Sequence, residues 1–225
     1  MSFQDRTDAG RRLAEALAGY GPRRPIVLAL PRGGVPVAEE VARRLGAPLD
    51  VVLVRKIGVP SQPELAMGAV VDGPTPVVVQ NREIMRRAGV SEAAFAHVRE
   101  GEMAELLRRR RLYVGDRPRP VLDGRTVIVV DDGVATGATT SAALRAVRKQ
   151  HPARLILAVP VAPADTLEEL RQEADEIVCL ENHRFFTAVG TYYADFDQVS
   201  DDEVVRILAR SHDKEPPAGP QAAPD

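Results

Sequence analysis

Residues 126–142, TVIVVDDGVATGATTSA, join an apolar run to two adjacent acids and then to a loop of small residues. The run is typical of a strand that is buried on both faces, and Asp131 and Asp132 follow it directly. Carboxylates in this position can accept hydrogen bonds from the hydroxyl groups of a ligand. A predicted helix begins after the loop, and its first N–H groups favour a phosphate. The stretch therefore predicts a site for a phosphorylated sugar.

The phosphate would be bound by backbone rather than by side chains. Gly133 and Gly137 allow a ligand to approach the chain closely. The predicted phosphate-binding residues are consecutive: Ala135, Thr136, Gly137, Ala138 and Thr139. No lysine follows the glycines as it does in the loop of nucleoside triphosphatases, and the chain has no GxGxxG motif.

The segment VIVVDDGVATGATT, residues 127–140, resembles the phosphoribosyl-pyrophosphate (PRPP) motif of type I phosphoribosyltransferases. The resemblance implies that Asp131 and Asp132 bind the ribose hydroxyls and that the following loop surrounds the 5-phosphate. Gly133 departs from the family pattern, which mostly has an aliphatic residue there. An ordinary strand, turn and helix with two solvated acids is the alternative.

A second segment, LPRGGVPVAEEVA at residues 30–42, resembles the pyrophosphate loop of the same family. The resemblance implies that the N–H groups of Gly33 and Gly34 contact pyrophosphate, with Arg32 beside them. Many family members have a cis peptide bond that does not precede proline in this loop, and we predict one between Arg32 and Gly33. Taken alone, an RGG sequence more often forms a tight turn.

A third segment, VRKIGVPSQPELAMGAV at residues 54–70, lies where the family has a mobile loop that closes over PRPP. The resemblance implies that Arg55 and Lys56 contact pyrophosphate and take part in catalysis together with Asp131 and Asp132. Closure of the loop would exclude water from the activated sugar. A surface hairpin with ordinary charges is the alternative.

Aromatic residues are concentrated between positions 185 and 196, after the last predicted core strand. The family places the cover of the acceptor site in this region. Phe185 and Phe186 are therefore candidates for acceptor binding by stacking. Packing in the hydrophobic core or in a dimer contact explains the same pattern equally well.

Short apolar strands alternate with helices along the chain, which predicts an α/β fold. With the resemblance, we expect a doubly wound, mainly parallel sheet of the type I phosphoribosyltransferase kind. One domain would span residues 1–212, with a helical insertion at 82–113 and a small C-terminal hood at 181–200. The tail at 213–225 is rich in proline and alanine and is predicted to be disordered. Strands are predicted at 25–30, 49–58, 64–71, 75–80, 126–130, 154–162 and 176–180.

The insertion is locally basic, since residues 82–119 hold ten arginines and six acids, and Arg108–Arg111 are consecutive. A solvated helix end explains the run. A basic wall for an anionic partner or RNA is the alternative.

The net charge of −2 disfavours binding to a nucleic acid backbone. One cysteine and the lack of any long apolar run indicate a cytoplasmic protein outside the membrane. The histidines lack metal-ligand spacing, so Mg²⁺ would be held largely through PRPP. The resemblance further implies a homodimer.

The function that the sequence favours is transfer of the 5-phosphoribosyl group from Mg-PRPP to a nitrogenous acceptor, such as a nucleobase, with release of pyrophosphate. Two alternatives stay open. One is a regulatory protein that binds PRPP as a signal, and the other is phosphorolysis or hydrolysis of a nucleotide at the same site.

Overall fold

The computed structural model describes residues 2–212 of the 225-residue chain. Five parallel strands form the main sheet, in the order β2-β1-β6-β7-β8. The strands of this sheet are β1 (Ile26–Ala29), β2 (Leu49–Val51), β6 (Thr126–Val130), β7 (Arg154–Pro163) and β8 (Glu176–His183). Because β6 pairs with β1 on the side opposite β2, the strand order reverses between β1 and β6. Ligands of open α/β sheets bind at such a switch point.

Helices cover both faces of this sheet. Successive strand residues point to opposite faces, and the residues on both faces of the central strands are apolar and buried. On one face, Val27 and Ala29 pack in the same core cluster as helices α1, α2, α4 and α7. On the other face, Ile26 and Leu28 pack with α5 and α6. The helices are α1 (Arg6–Ala16), α2 (Gly34–Leu45), α3 (Arg82–Arg87), α4 (Glu92–Val114), α5 (Ala138–Arg148), α6 (Ala164–Leu170) and α7 (Asp201–His212). The predicted doubly wound, mainly parallel fold is confirmed.

The segment predicted as one strand at 49–58 is divided between two sheets, so this prediction is wrong. The chain leaves the main sheet after β2, and β3 (Val54–Val59) pairs antiparallel with β4 (Gln62–Val71), which in turn pairs with β5 (Val77–Gln80). The apolar residues Val51, Val52, Leu53 and Val54 cross the junction between the two sheets, so the sequence shows no break there. The predicted loop at 54–70 is thus the first hairpin of a three-stranded sheet, called here the hairpin sheet.

The helical insertion is present as α3 and α4, and both helices begin where the sequence predicts. The side chain of Asn81 accepts a hydrogen bond from the N–H of Ile84, and Ser91 caps α4 in the same way. Helix α4 packs against β3, β4 and α7, so it supports the hairpin sheet.

The basic run within α4 is partly buried and partly exposed, and three of its four arginines pair with acids of the chain. Arg110 is buried, and its guanidinium donates to both carboxylate oxygens of Asp50 at 3.0 and 2.9 Å. Arg108 and Arg109 both pair with Glu105 one turn earlier. The run is therefore largely paired within the chain, which removes the main support for a basic wall.

No helix within residues 2–212 is long and apolar enough to cross a membrane. The predicted disorder of 213–225 concerns residues outside the described range.

Candidate functional site

The two acids and the two glycines meet at the switch point between β1 and β6. A Cβ atom on Gly33 would lie 1.9 Å from Oδ2 of Asp132, and one on Gly34 would lie 2.7 Å from the carbonyl oxygen of Val130. Only glycine fits at these two positions unless the neighbouring backbone or carboxylate moves. The structure thus brings together the two segments that the sequence singled out, at the carboxyl edge of the sheet.

The cis peptide bond in this loop lies one position earlier than predicted. It joins Pro31 to Arg32, and the predicted cis bond between Arg32 and Gly33 is absent among the described residues. The prediction relied on glycine to ease a cis bond. In the structure, the missing side chain of Gly33 instead gives room to the carboxylate of Asp132.

The predicted phosphate loop leads into α5 with its backbone accessible. Gly137 precedes the helix with a φ of 72°, a left-handed conformation that favours glycine, and no side chain caps the helix. Ala135 and Thr136 are exposed, and the carbonyl oxygen of Ala135 accepts a hydrogen bond from Oγ1 of Thr166 at 2.9 Å. The first N–H groups of α5 have no partner within the helix. They are available to an anion.

Burial raises the pKa of both acids. The pKa of Asp131 lies well above its usual value because the carboxyl is buried and because Asp132 lies beside it. The pKa of Asp132 is also raised by burial, and the guanidinium of Arg6 opposes this rise. A ligand that donates hydrogen bonds to these carboxylates would favour their ionised forms.

Arg6 in α1 holds Asp132, and the sequence prediction missed this residue. Its Nε donates to Oδ2 of Asp132 at 2.8 Å, and its Nη1 donates to the carbonyl oxygen of Asp197 at 2.7 Å. The guanidinium carbon lies 3.8 Å from the ring centre of Phe196. Arg6 therefore joins the amino-terminal helix, the PRPP-like motif and the hood. No local pattern marks an arginine that pairs with an acid 126 positions away.

Tyr193 contributes a second contact between the hood and the acids. Its hydroxyl donates to the backbone carbonyl oxygen of Asp132. Burial raises the pKa of the Tyr193 phenol, so the hydroxyl stays a donor at physiological pH.

The three predicted pyrophosphate-binding cations do not converge. Arg32 lies 3.6 Å from Asp201 at the start of α7, and Nε of Arg55 donates to Glu102 of α4 at 2.7 Å. Lys56 follows Arg55 along β3 and lines a cleft shared with the phosphate-loop end of α5. Of the three, Lys56 is the one that lines this cleft.

The hood aromatics divide between the core and the surface. Tyr193 packs 5.3 Å from Phe3 and 4.9 Å from Phe196, measured between ring centres, so this part belongs to the core. Phe186 stacks on Tyr192 at 5.2 Å, while Phe185 is 95% exposed. The core interpretation therefore holds for Tyr193, and the acceptor interpretation stays a prediction for Phe185 and Phe186.

The hood also explains the unusual glycine in the motif. A Cβ atom on Gly133 would lie 2.5 Å from Cγ1 of Val189 and 3.1 Å from Cγ1 of Val161. Val189, at the start of a short 3₁₀-helix (Val189–Tyr192), takes the space that an aliphatic residue at 133 would occupy. Gly133 thus fits the packing of this hood.

No cluster of three or more histidine, cysteine or acidic side chains that could hold a metal ion occurs within residues 2–212. Asp131 and Asp132 are the acids that lie against Gly33 and Gly34.

Comparison with known proteins agrees with this geometry. The family model for the phosphoribosyl transferase domain matches residues 3–196. Proteins from two strains of Mycobacterium tuberculosis, "Putative phosphoribosyl transferase MT0597" and "Putative phosphoribosyl transferase Rv0571c", are each 48% identical over 210 residues. The match covers 93% of this chain and 47% of each relative, so the chain spans about half the length of these curated relatives.

A solved structure is similar over nearly its full length. The crystal structure of the protein TT1426 from Thermus thermophilus superposes with a TM-score of 0.80 at 46% sequence identity. The match covers 93% of this chain and 99% of that one.

Proposed function

The chain belongs to the phosphoribosyl transferase domain family, and on this premise we propose that it transfers the 5-phosphoribosyl group of PRPP to a nitrogenous acceptor with release of pyrophosphate. The observation that carries the proposal is the contact of Gly33 and Gly34 with the segment of Asp131 and Asp132, directly before the uncapped start of α5. This arrangement brings together carboxylates that can accept hydrogen bonds from sugar hydroxyl groups and free backbone N–H groups that can bind a phosphate.

In this proposal the ribose is fixed by the acids and the phosphate by the backbone. Asp131 and Asp132 accept hydrogen bonds from the 2- and 3-hydroxyl groups. The N–H groups from Ala135 to Thr139 bind the 5-phosphate at the positive end of α5. Arg6 orients Asp132 and favours its ionised form, which is the form that accepts hydrogen bonds from two donors.

The leaving pyrophosphate is bound by the amides of Gly33 and Gly34 and by nearby cations. Lys56 lines the same cleft as Ala138 and Thr139 of the phosphate loop. Arg32 and Arg55 would first have to leave Asp201 and Glu102, since both are paired. In this proposal Arg32 and Arg55 therefore act after a rearrangement of the glycine loop and the hairpin sheet, whereas Lys56 has no ion pair to break among the described residues.

The acids present suit a magnesium ion that is bound mainly through the substrate. Two adjacent carboxylates are too few for a complete protein site, and Mg²⁺ usually keeps water and substrate oxygens among its ligands. Asp131 and Asp132 would hold the ion indirectly, through ribose oxygens and water. Bound Mg²⁺ neutralises negative charge on the pyrophosphate.

The transfer breaks the bond between C1 of the ribose and the pyrophosphate oxygen, and it forms a bond between C1 and the acceptor nitrogen. The electron pair of the broken bond leaves with pyrophosphate. The acids and amides supply positioning and charge stabilisation, which account for most of the rate in such reactions. The hairpin sheet excludes water, and Phe185 with Phe186 would stack on a flat acceptor.

A screen of nucleobases and small amines with Mg-PRPP, monitored by pyrophosphate release, tests this function. We expect release that depends on one class of acceptor, with a ribosylated product identified by mass spectrometry. Binding of Mg-PRPP without release for any acceptor would contradict transfer and favour the regulatory alternative. Formation of ribose 5-phosphate or a phosphorolysis product from nucleotides alone would favour the other alternative.

The same proposal includes a homodimer, as the family resemblance implies, and a cytoplasmic location, as the single cysteine and the lack of a long apolar run in the sequence indicate. Sedimentation equilibrium at micromolar concentration tests the dimer, and a monomer mass would contradict it.

A further inference from the structure

A cleft lies between the hairpin sheet and α5, and we call it the hairpin cleft. Its volume is about 380 Å³, which is within the range of pockets that hold small molecules. The apolar part of its lining comes from Ala66, Ala69 and Val79 of the hairpin sheet and from Ala142 of α5. The cleft therefore offers an apolar surface on two sides.

The charged side chains that line the hairpin cleft are all cationic. They are Lys56, Arg82 and Arg145, and no acidic residue is among the lining residues. Arg145 pairs with Glu173 at 2.6 Å. Within the part of the chain from 2 to 212, neither Lys56 nor Arg82 forms an ion pair. Two unpaired cations beside an apolar surface attract an organic anion.

The hairpin cleft is separate from the acids of the proposed PRPP site. Neither Asp131 nor Asp132 lines it, and neither Gly33 nor Gly34 does. It adjoins the proposed PRPP site through Ala138 and Thr139 of the phosphate loop and through Lys56, which is proposed to bind pyrophosphate. It also contains no residue of the hood, where the acceptor is proposed to bind.

We propose that the hairpin cleft is a second binding site, for a small molecule with an apolar body and a phosphate or carboxylate group. The anionic group contacts Arg82, which has no role in the proposed transfer, with Lys56 beside it, and the apolar body packs between the alanines of β4 and α5. Because such a ligand contacts both elements, it fixes the hairpin sheet against α5. The inference rests on the geometry of the cleft and does not require the proposed transferase function.

Isothermal titration calorimetry with phenyl phosphate and with benzoate tests this site, and the pair of probes distinguishes phosphate from carboxylate recognition. Arg82→Ala removes a cation from the cleft, and Ala66→Leu fills part of its volume. Arg86→Ala is the matched control, because it removes an exposed arginine of the same helix that does not line the cleft. Each titration is repeated with saturating ribose 5-phosphate, which would occupy the phosphate loop. Circular dichroism establishes that each variant is folded.

We expect at least one probe to bind the unmodified chain and Arg86→Ala equally. Arg82→Ala should weaken this binding about tenfold, since a charge-assisted hydrogen bond is lost. Ala66→Leu should weaken it by a similar factor, and ribose 5-phosphate should leave it in place. No binding of either probe, unchanged binding in folded Arg82→Ala, or displacement by ribose 5-phosphate would each overturn the proposal. Neither Arg82→Ala nor Ala66→Leu changes a residue of the proposed PRPP site. A negative result for the hairpin cleft therefore leaves the transferase proposal intact.

Discussion

Replacement of Arg6 by methionine should destabilise the fold and do so more strongly as the pH rises. The side chains of Arg6 and Asp132 are 12% and 13% exposed, so the substitution leaves a carboxylate that is nearly buried without its cation. Breaking such a pair costs about 3–5 kcal/mol. The same substitution removes the contact of the guanidinium with the Phe196 ring, worth about 0.5–2 kcal/mol.

Protonation of Asp132 limits this cost. An unpaired buried carboxyl has a raised folded-state pKa, and protonation in the folded state costs about 1.4 kcal/mol per pH unit above the unfolded value of about 3.9. The charge penalty therefore cannot exceed about 4 kcal/mol at pH 7 and about 1.5 kcal/mol at pH 5. The stability lost through Arg6→Met should be about 3 kcal/mol or more at pH 7 and clearly smaller at pH 5.

Urea denaturation of the unmodified chain and of Arg6→Met at both pH values measures this difference. Arg11→Met is the control, because Arg11 is 65% exposed and lies 3.7 Å from Glu40; it should change stability by less than about 0.5 kcal/mol. In an Asp132→Asn background, the cost of Arg6→Met should fall to roughly 1–2 kcal/mol, since no charge is left unpaired. Equal effects of the Arg6 and Arg11 substitutions, or an effect that does not vary with pH, would refute the reasoning.

Three further perturbations have defined outcomes. Arg110→Met should lower the free energy of unfolding by about 3–5 kcal/mol, because it leaves the buried carboxylate of Asp50 without its cation, whereas Arg111→Met, on an exposed position, should have an effect below about 0.5 kcal/mol; equal urea midpoints would contradict this. Asp131→Asn should stabilise the fold at pH 7 and lose this advantage toward pH 4. The raised pKa of Asp131 means that the folded state binds more protons than the unfolded state, so the unmodified chain loses stability as the pH rises; thermal unfolding at both pH values checks the sign. Gly133→Val should cost about 1–3 kcal/mol through overpacking against Val189, and Val189→Ala should recover part of it; an additive double variant would argue against direct contact.

Much of the fold follows from local pattern. Short apolar strands before helices predicted the parallel sheet with helices on both faces, and the caps at Asn81 and Ser91 placed the insertion helices. The division of residues 49–59 between two sheets could not be read in this way, because apolar residues at 51–54 continue across the junction. Which sheet a strand joins depends on the partner strand, and that partner lies elsewhere in the chain.

The sequence pointed to the segments that form the candidate site, but it did not show which distant side chains pair with them. The acid pair after an apolar strand carries a local signal, whereas Gly33 and Gly34 were singled out through the resemblance to the family's pyrophosphate loop. Arg6 carries no such signal, since its role depends on an acid 126 positions away. Likewise the arginine run of α4 did not reveal that Arg110 pairs with Asp50, which lies 60 positions earlier.

The central claim is that Asp131 and Asp132 bind the ribose of PRPP. Isothermal titration calorimetry of Mg-PRPP with the Asp131→Asn, Asp132→Asn double variant tests it most directly, with circular dichroism to establish that the variant is folded. We expect the unmodified chain to bind Mg-PRPP and the double variant to lose affinity by roughly a hundredfold or more, because two charge-assisted hydrogen bonds are removed. Unchanged affinity in a folded double variant would contradict it.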